Sequence, residues 1–445
     1  MQANGIDFRL ERRQPHEQRP QHPSFPVRSL RRLRLGQGPS RRGPRRQDQP
    51  DRQRVRLPPD AQAAQRFRFQ DSAEGWNKFR ESLASLDRVA VAVETSFGST
   101  VERLLELDVT VFPVQPKAAQ RYRDRKAPSG VKTDWLDAWS LADALRTDGQ
   151  GWRSLRPQDP LLAELRLLCR DEIALIQNRT ALVNQLQQAL HEYFPAALEA
   201  FDDWTLSPSW HFIVRFPTPQ KLQQAGRRRW ESFLKKHKIA RSQTFERRLE
   251  IFARATQFQG SVPMTAAKSR LAVTVAQQLL TLQEQLDDYR KRITELFEQH
   301  PDHDLFGSLP AAAAKIAPRL LAEIGDDREV FEDAQSLQAY AGTAPISLQS
   351  GKWHKVRFRR ACNKTLRATI HLWSNLSRTK CAWADAYYRQ KRSEGKSHAC
   401  ALRCLGQRWI KILWKMWQTH APYDEALHTR NQTKHGSWIL KLAND

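Results

Sequence analysis

The spacing of hydrophobic residues changes several times between residues 66 and 158. Two short apolar runs rich in β-branched residues predict strands over residues 89–93 and 109–114. Helical spacing predicts three helices around them, over residues 72–86, 100–107 and 134–146, with a basic loop over 117–132 before the last. A strand, a helix and a second strand in succession predict a parallel pair joined by a crossover, and therefore an α/β domain over residues 66–158.

Two long leucine stripes follow, over residues 159–193 and 265–298. Stripes of this length, with charged residues between the leucines, indicate an antiparallel coiled coil or an extended helical arm. A helical insertion rich in Trp and basic residues separates them, and a basic helical pattern resumes at about Leu305. The predicted fold class is α/β plus all-α, with an arm over residues 159–304 and a helical C-terminal domain over 305–445.

The first 65 residues follow neither a helical nor a strand period. They are rich in Arg, Pro and Gln, and the first lysine of the protein is Lys78. This composition predicts a disordered segment over residues 1–65. A basic arm that grips phosphates is the functional interpretation of the same residues.

The charge of the chain points to a polyanionic partner. The 445 residues include 73 Lys and Arg against 48 Asp and Glu, for a net charge of +25, which favours DNA or RNA. No apolar run approaches the ~20 residues that span a bilayer, so no membrane partner is expected. The five cysteines are odd in number and lack zinc spacing, which favours free thiols in a reducing cytoplasm over disulfides or a structural metal.

Three acids stand where they could hold metal ions. Glu94 ends the first predicted strand, at the edge of the sheet where ligands bind in open α/β folds. Asp134 and Asp137 are three residues apart in the first turn of a helix and share a face. One interpretation is that both are ordinary N-terminal helix acids. The alternative is a carboxylate cluster for Mg²⁺ or Mn²⁺, which suits a nuclease or strand transferase in a basic protein.

Two groups of motifs resemble a known family. Around the acids stand Val91-Ala-Val-Glu-Thr-Ser, Pro113-Val-Gln-Pro-Lys and Lys132-Thr-Asp-Trp-Leu-Asp-Ala. Further along stand Leu320-Leu-Ala-Glu-Ile-Gly-Asp, Leu337-Gln-Ala-Tyr-Ala-Gly-Thr-Ala-Pro, Gln349-Ser-Gly-Lys and Cys362-Asn-Lys. Over roughly residues 66–445 the chain resembles the bridge-RNA-guided DEDD transposases of bacterial insertion sequences (the IS "one-ten" group).

The resemblance implies an RNase H/RuvC-like domain whose acids bind Mg²⁺ or Mn²⁺. Glu94, Asp134 and Asp137 take the positions of the family's Glu and Asp-x-x-Asp pair, and Ser350 takes that of its nucleophile. The family also implies DNA and an element-encoded guide RNA as partners, a homo-oligomer formed through the long helices, and a bacterial cytoplasmic, nucleoid-associated location.

The residues around Ser350 support this assignment only in part. A Ser beside a Gly usually forms a turn, and a serine hydroxyl is a weak nucleophile unless a base or a metal activates it. Downstream lie basic residues that suit phosphates, interleaved with Trp353 and Phe358, which suit bases; ordinary burial would place about half of such aromatics in a core. The candidate nucleic-acid-binding residues are Lys352, Lys355, Arg357, Arg359, Arg360, Lys364 and Arg367.

The family's first metal-binding Asp would be Asp7, in Gly5-Ile6-Asp7. The residues that follow show no strand period and contain four prolines from Pro15 to Pro26. The hypothesis is therefore that residues 8–64 are a frameshifted stretch, and that the domain lacks its first strands and is catalytically impaired. Two other functions stay open: a RuvC-like structure-specific nuclease that uses metal-activated water without Ser350, and an inactive nucleic-acid-binding transposase remnant.

Overall fold

The computed structural model describes the backbone of residues 5–10, 30–33 and 65–435, except residues 85, 87, 97, 108 and 158. Within this part the chain divides into two compact units, Met1–Gln158 and Asp159–Asp445. Both units are rich in helices, and the described strands form only small sheets.

Two small sheets lie in the first unit. One pairs β1 antiparallel with β3, so that Asp7 stands opposite Arg68. The other is parallel, in the order β2-β4-β5. The strands are β1 Gly5–Leu10, β2 Leu30–Leu33, β3 Gln65–Gln70, β4 Ala90–Val93 and β5 Thr110–Pro113.

The helices of the first unit cover these sheets because their apolar faces pack on the β-branched strands. Val91, Val111, Leu104 and Phe79 are fully buried in one such core. The predicted parallel pair with its helical crossover is confirmed, since β4 and β5 are parallel and a helix connects them. The helices are α1 Ala73–Leu83, α2 Ser99–Glu106, α3 Pro116–Lys126 and α4 Asp134–Asp148.

Two predictions for this unit are wrong. The expected basic loop over residues 117–132 is helix α3 for most of its length, because Pro116 suits a first helical position and Lys, Ala, Gln and Arg are good helix formers. The chain directly after Asp7 was expected not to be a strand, yet β1 continues to Leu10 and β2 forms at Leu30–Leu33. The remaining residues of the 8–64 segment lie outside the described part, so the frameshift hypothesis stays a prediction.

Two long helices, α5 Pro160–Tyr193 and α10 Val262–Gln299, form an antiparallel pair in the second unit. Glu164 pairs with Arg292 near one end, and Glu192 pairs with Lys268 near the other. Leu186 and Leu279 are fully buried in the core at the latter end. The two long helices are therefore confirmed, whereas coiled-coil geometry stays a prediction.

A four-helix insertion connects these two helices and has its own aromatic core. Trp210, Phe212 and Phe252 are fully buried in it, and Trp210 donates a hydrogen bond to the carbonyl oxygen of Trp204 at 2.8 Å. The helices are α6 Pro195–Ala200, α7 Ser207–Arg215, α8 Pro219–Lys236 and α9 Ser242–Ala253.

The rest of the second unit, as far as the structure describes it, is helical apart from one hairpin. Its core is mainly aliphatic but includes buried tryptophans, among them Trp373 and Trp409, whose ring centroids lie 4.7 Å apart. The helices are α11 His303–Gly307, α12 Ala313–Ile324, α13 Ala334–Tyr340, α14 Lys364–Ser377, α15 Ala382–Ser393, α16 His398–Thr419 and α17 Glu425–Lys434. The hairpin pairs β6 Ile346–Ser350 with β7 Trp353–Arg357, within a region where the sequence pattern predicted only helices.

A buried ion pair fixes the start of α14. Glu323, on α12, accepts hydrogen bonds from Arg170 on α5 at 2.7 Å and 3.0 Å and from the Asn363 amide at 2.6 Å. Asn363 is also the N-cap of α14, where its side chain accepts from the amide of Leu366. Burial alone would raise the pKa of Glu323, but the hydrogen bonds from Arg170 and Asn363 outweigh it and hold that pKa below its ordinary value of 4.5.

Glu323→Gln is expected to destabilise the second unit by about 3 kcal/mol, because it leaves Arg170 without its carboxylate. Since the folded-state pKa is depressed, the charge of Glu323 stabilises the protein above pH 4.5, and this contribution is lost as the pH falls through the folded-state pKa. Urea unfolding at pH 7 and pH 4 checks both statements. The control is Glu164→Gln, whose exposed pair with Arg292 should contribute less than about 1 kcal/mol. Equal losses from the two variants would contradict the prediction.

Candidate active site and nucleic-acid interface

The predicted acids of the first unit come from β4 and α4. Glu94 follows the last residue of β4 and is partly buried, at the carboxyl end of the parallel sheet. Asp134 and Asp137 occupy the first turn of α4, which Thr133 caps by accepting a hydrogen bond from the amide of Leu136 at 3.1 Å. Asp134 is exposed, whereas Asp137 is buried, with 3% of its surface accessible. Burying a carboxylate costs free energy unless a cation pairs with it. The cation that pairs with Asp137 therefore shows which helix packs against the start of α4.

Arg123, on α3, is the partner of Asp137. Its guanidinium donates a hydrogen bond to Oδ1 of Asp137 at 2.7 Å. This bond raises the pKa of Arg123 more than any other cause, although burial lowers it, and the charge of Glu94 raises it slightly further. Arg123 therefore lies within electrostatic range of both Glu94 and Asp137. Sequence reasoning missed it because the segment was interpreted as a loop; the helix-forming residues after Pro116 were the available signal.

A second acid of α4, Asp143, is neutralised in the same way. It pairs with Lys126 of α3 at 2.6 Å and with Arg146 at 2.7 Å. Burial alone would raise the pKa of Asp143, but the hydrogen bonds from Lys126 and Arg146 outweigh it and lower the pKa. Helix α3 therefore supplies two cations, Arg123 and Lys126, that pair with the buried acids Asp137 and Asp143 of α4.

The four predicted metal ligands are not seen as one cluster. Among the described residues, no three His, Cys, Asp or Glu side chains group closely enough to hold a metal ion, and the side chain of Asp7 lies outside them. The donor chemistry nevertheless suits a hard divalent ion, because Glu94, Asp134 and Asp137 offer only oxygen. The metal site stays a prediction.

Ser350 lies at the tip of the hairpin in the second unit. It is the last residue of β6, and it pairs with Trp353 across the two-residue loop Gly351-Lys352. Gly351 has φ of 54°, a value that favours glycine at the first central position of a tight hairpin turn. Ser350 is exposed, and its hydroxyl makes no hydrogen bond to any described residue. The hydroxyl is therefore accessible to a large substrate, and no described residue is hydrogen-bonded to it as a general base would be.

The hairpin and the segment after it present cations and aromatic rings to solvent. All five residues of β7 are exposed, among them Lys355 and Arg357. Trp353 and Phe358 are 51% and 44% exposed, so neither belongs to a core, and the expectation that about half of these aromatics are buried is wrong for this pair. Of the other predicted nucleic-acid contacts, Lys352, Arg360 and Lys364 are exposed, while Arg359 and Arg367 are partly buried.

Among residues 65–435, apart from the gaps stated above, no helix is both long enough and apolar enough to cross a bilayer.

Comparison with known families defines the class of protein to which this fold and these residues belong. The DEDD transposase model of the IS110 group, described as "Transposase", matches residues 55–195. A second model, described as "Transposase IS116/IS110/IS902 family", matches residues 303–389. The first match includes Glu94, Asp134 and Asp137, and the second includes Ser350.

Individual relatives are encoded by insertion elements of bacteria. The chain is 35% identical over 376 residues to the mini-circle protein of IS117 from Streptomyces coelicolor, covering 80% of this chain and 89% of that protein. It is 29% identical to the 42 kDa protein of IS900 from Mycobacterium paratuberculosis, over 67% of this chain and 74% of that one. The 44.8 kDa protein of IS116 from Streptomyces clavuligerus is 28% identical over 64% and 71%.

The chain belongs to the IS116/IS110/IS902 family of transposases, and it is therefore an enzyme that cleaves and transfers DNA. This confirms the family that the motifs indicated. The DEDD match also suggests that divalent metal ions take part.

Proposed function

We propose that this transposase cleaves and rejoins DNA through Ser350, with divalent ions held by the acids of the first unit. The observation that carries the proposal is the position of Ser350, exposed at the tip of a hairpin whose second strand presents Lys355 and Arg357 to solvent. Such a tip can enter the groove of a duplex, and cations beside it can neutralise the phosphates on either side of the reacting one.

The chemistry of the serine step balances without a co-reactant. The Oγ of Ser350 attacks a backbone phosphorus, one P–O ester bond to the sugar breaks, and a phosphoserine ester replaces it. The serine proton leaves and the departing sugar oxygen takes up a proton. In the rejoining step a sugar hydroxyl attacks the phosphoserine and restores Ser350. Because one ester replaces another, the energy of the cleaved bond is retained for strand transfer.

The acids would bind Mg²⁺ or Mn²⁺, with Glu94, Asp134, Asp137 and, at the start of the chain, Asp7 as ligands in an RNase H/RuvC-like domain. Such an ion lowers the pKa of an attacking oxygen and neutralises charge on the phosphate. Arg123 now neutralises Asp137 at 2.7 Å, so one carboxylate oxygen is engaged by a protein cation. We infer that metal binding at Asp137 competes with this pair.

We also propose the partners, the oligomer interface and the location that the resemblance to the transposase family implies. An element-encoded guide RNA would select the DNA, with the protein recognising RNA shape rather than DNA sequence. The antiparallel pair α5 and α10 is the proposed oligomer interface, and the bacterial cytoplasm, in association with the nucleoid, is the proposed location. The proposed domains are the catalytic domain over residues 66–158, the arm over 159–304 and the serine-bearing domain over 305–445.

The test is to trap the covalent intermediate. Labelled DNA carrying an element end is incubated with the full chain, guide RNA and Mg²⁺, then separated on a denaturing gel. A protein–DNA adduct supports the proposal. Free cut ends without an adduct would favour a nuclease that uses water, and binding without cleavage would favour an inactive remnant.

Binding to nucleic acid is expected to weaken steeply as salt rises, because Lys and Arg release counterions from phosphates. If about six phosphates are neutralised, affinity should fall about 10³-fold between about 50 and 200 mM salt. Fluorescence anisotropy with labelled duplex measures the slope of log K against log salt. Lys355→Gln should reduce that slope by about 1, whereas Lys78→Gln, at an exposed pair with Glu74 in the first unit, should not. A flat salt response of the natural protein would contradict the prediction.

A further inference from the structure

A cavity of about 420 Å³ opens between α14 and α16, beside the segment that follows β7. One face of α14 forms a wall, through residues spaced three or four apart from Lys364 to Asn375. Ala368, Leu372 and Leu402 supply apolar surface, and Phe358 closes one side. The volume lies within the ~300–1,000 Å³ of ordinary small-ligand sites.

The side chains that line this cavity include three cations and two histidines, but no Asp or Glu. Lys364, Arg367 and Arg403 carry positive charge, and His371 and His398 are titratable. None of the three permanent cations forms an ion pair with a described carboxylate; the guanidinium of Arg367 donates only to the carbonyl oxygen of Arg359, at 3.3 Å. Several unneutralised cations around one cavity repel one another, and a bound anion removes that repulsion.

Phe358 supplies a flat aromatic surface among these cations. The guanidinium carbons of Arg367 and Arg403 lie 4.9 Å and 4.8 Å from its ring centroid. These contacts hold the ring in place, although it is 44% exposed. His398 is oriented as well, because its Nδ1 lies 2.8 Å from the hydroxyl of Tyr388.

We propose that this cavity, the Phe358 pocket, holds one unpaired nucleotide of the bound nucleic acid. The base stacks on Phe358 and the apolar surface, while the phosphate lies against Arg367, Arg403 and Lys364. An aromatic ring among cations is the combination that binds single-stranded nucleic acid. The inference rests on the proposed function in one respect, since it assumes that the basic face of the second unit is where nucleic acid binds. A fully paired duplex does not offer a free base, so the pocket distinguishes unpaired from paired segments.

The test compares hairpin oligonucleotides that differ in one unpaired nucleotide. Each carries 2-aminopurine, either bulged or fully paired, in a DNA version and an RNA version, and binds the full-length protein. The natural protein is expected to bind the bulged form about tenfold more tightly in at least one version, with 2-aminopurine fluorescence quenched by stacking. The version with the larger preference identifies the nucleic acid that supplies the nucleotide.

Variants locate the effect in the Phe358 pocket. Phe358→Ala and Arg403→Gln should each abolish the preference for the bulge while leaving binding to the paired form within about threefold. Phe358→Trp should retain it. The matched control is Phe258→Ala, which removes an exposed phenylalanine ring of the second unit outside the pocket and should also retain the preference.

Two results would overturn the inference: equal binding of bulged and paired forms by the natural protein, or an unchanged preference in both Phe358→Ala and Arg403→Gln. The serine–DNA adduct is measured on the same preparations. If the natural protein forms the adduct but shows no preference for the bulge, only the Phe358 pocket is refuted, whereas a preference without the adduct refutes only the serine assignment.

Discussion

Ser350→Ala is expected to abolish the covalent protein–DNA adduct and all strand transfer, while changing the affinity for nucleic acid by less than about twofold. The reason is that the hydroxyl supplies the attacking oxygen but no charge, and counterion release by Lys and Arg dominates affinity. The side chain is exposed and unbonded to described residues, so the hairpin should fold unchanged. Adduct formation on a denaturing gel and anisotropy on the same preparation measure the two quantities.

The chain offers a matched control for this variant on the same strand. Ser347 is also exposed on β6 and stands opposite Val356 in the ladder, but it lies away from the turn. Ser347→Ala should keep full adduct formation. If Ser350→Ala still recombines DNA, or if Ser347→Ala is the variant that fails, Ser350 is not the nucleophile.

Asp137→Asn is expected to abolish strand cleavage and to weaken Mn²⁺ binding at least tenfold, because an amide is a poorer ligand for a hard cation than a carboxylate. Titration calorimetry with Mn²⁺ gives the binding constant independently of activity. Asp134→Ala should act in the same direction. Full activity of the natural protein in EDTA would refute the metal assignment.

Asp137→Asn removes the ion pair with Arg123 as well as a proposed metal ligand, so a control must distinguish these two effects. Asp143→Asn removes another buried carboxylate of α4, one that pairs with Lys126 and Arg146. Because Asp143 stands outside the predicted ligands, this variant should reduce stability but retain cleavage and Mn²⁺ affinity. Arg123→Gln removes the competing cation from Asp137 and should therefore tighten Mn²⁺ binding. Weaker Mn²⁺ binding in Arg123→Gln would show that Arg123 supports the site rather than competes for it.

The sequence predicted the elements that have a clear period. The strands around Val91 and Val111 and the helices α1, α2, α4, α5 and α10 lie close to the predicted positions, because burial on one face produces a repeating pattern. The β6–β7 hairpin was missed since its second strand is exposed at every position and therefore has no alternation of apolar and polar residues. Without such a pattern, only the Ser-Gly pair indicated that the chain turns there.

For the candidate site, the sequence predicted where individual acids lie on their own strand or helix. It did not predict which side chains from other parts of the chain contact them. Glu94 at a strand end and Asp137 in a first helical turn are local facts that the pattern contains. The Arg123–Asp137 pair and the two arginines around Phe358 arise from helix packing, which joins residues distant in the chain. The family motifs nominated Ser350, but they carried no information on the Phe358 pocket nearby.

The fixed start of α14 bears on the position of Ser350, the proposed nucleophile. Asn363 is tied to Glu323 in the interior, whereas the hairpin that precedes it has an entirely exposed strand. Five residues of antiparallel strand extend about 17 Å, and Ser350 lies at the turn end of this hairpin. If Ser350 is the nucleophile, as we propose, a substitution at Asn363 would change the position of its hydroxyl without altering its reactivity. Such a variant is then expected to cut the DNA at displaced positions rather than more slowly.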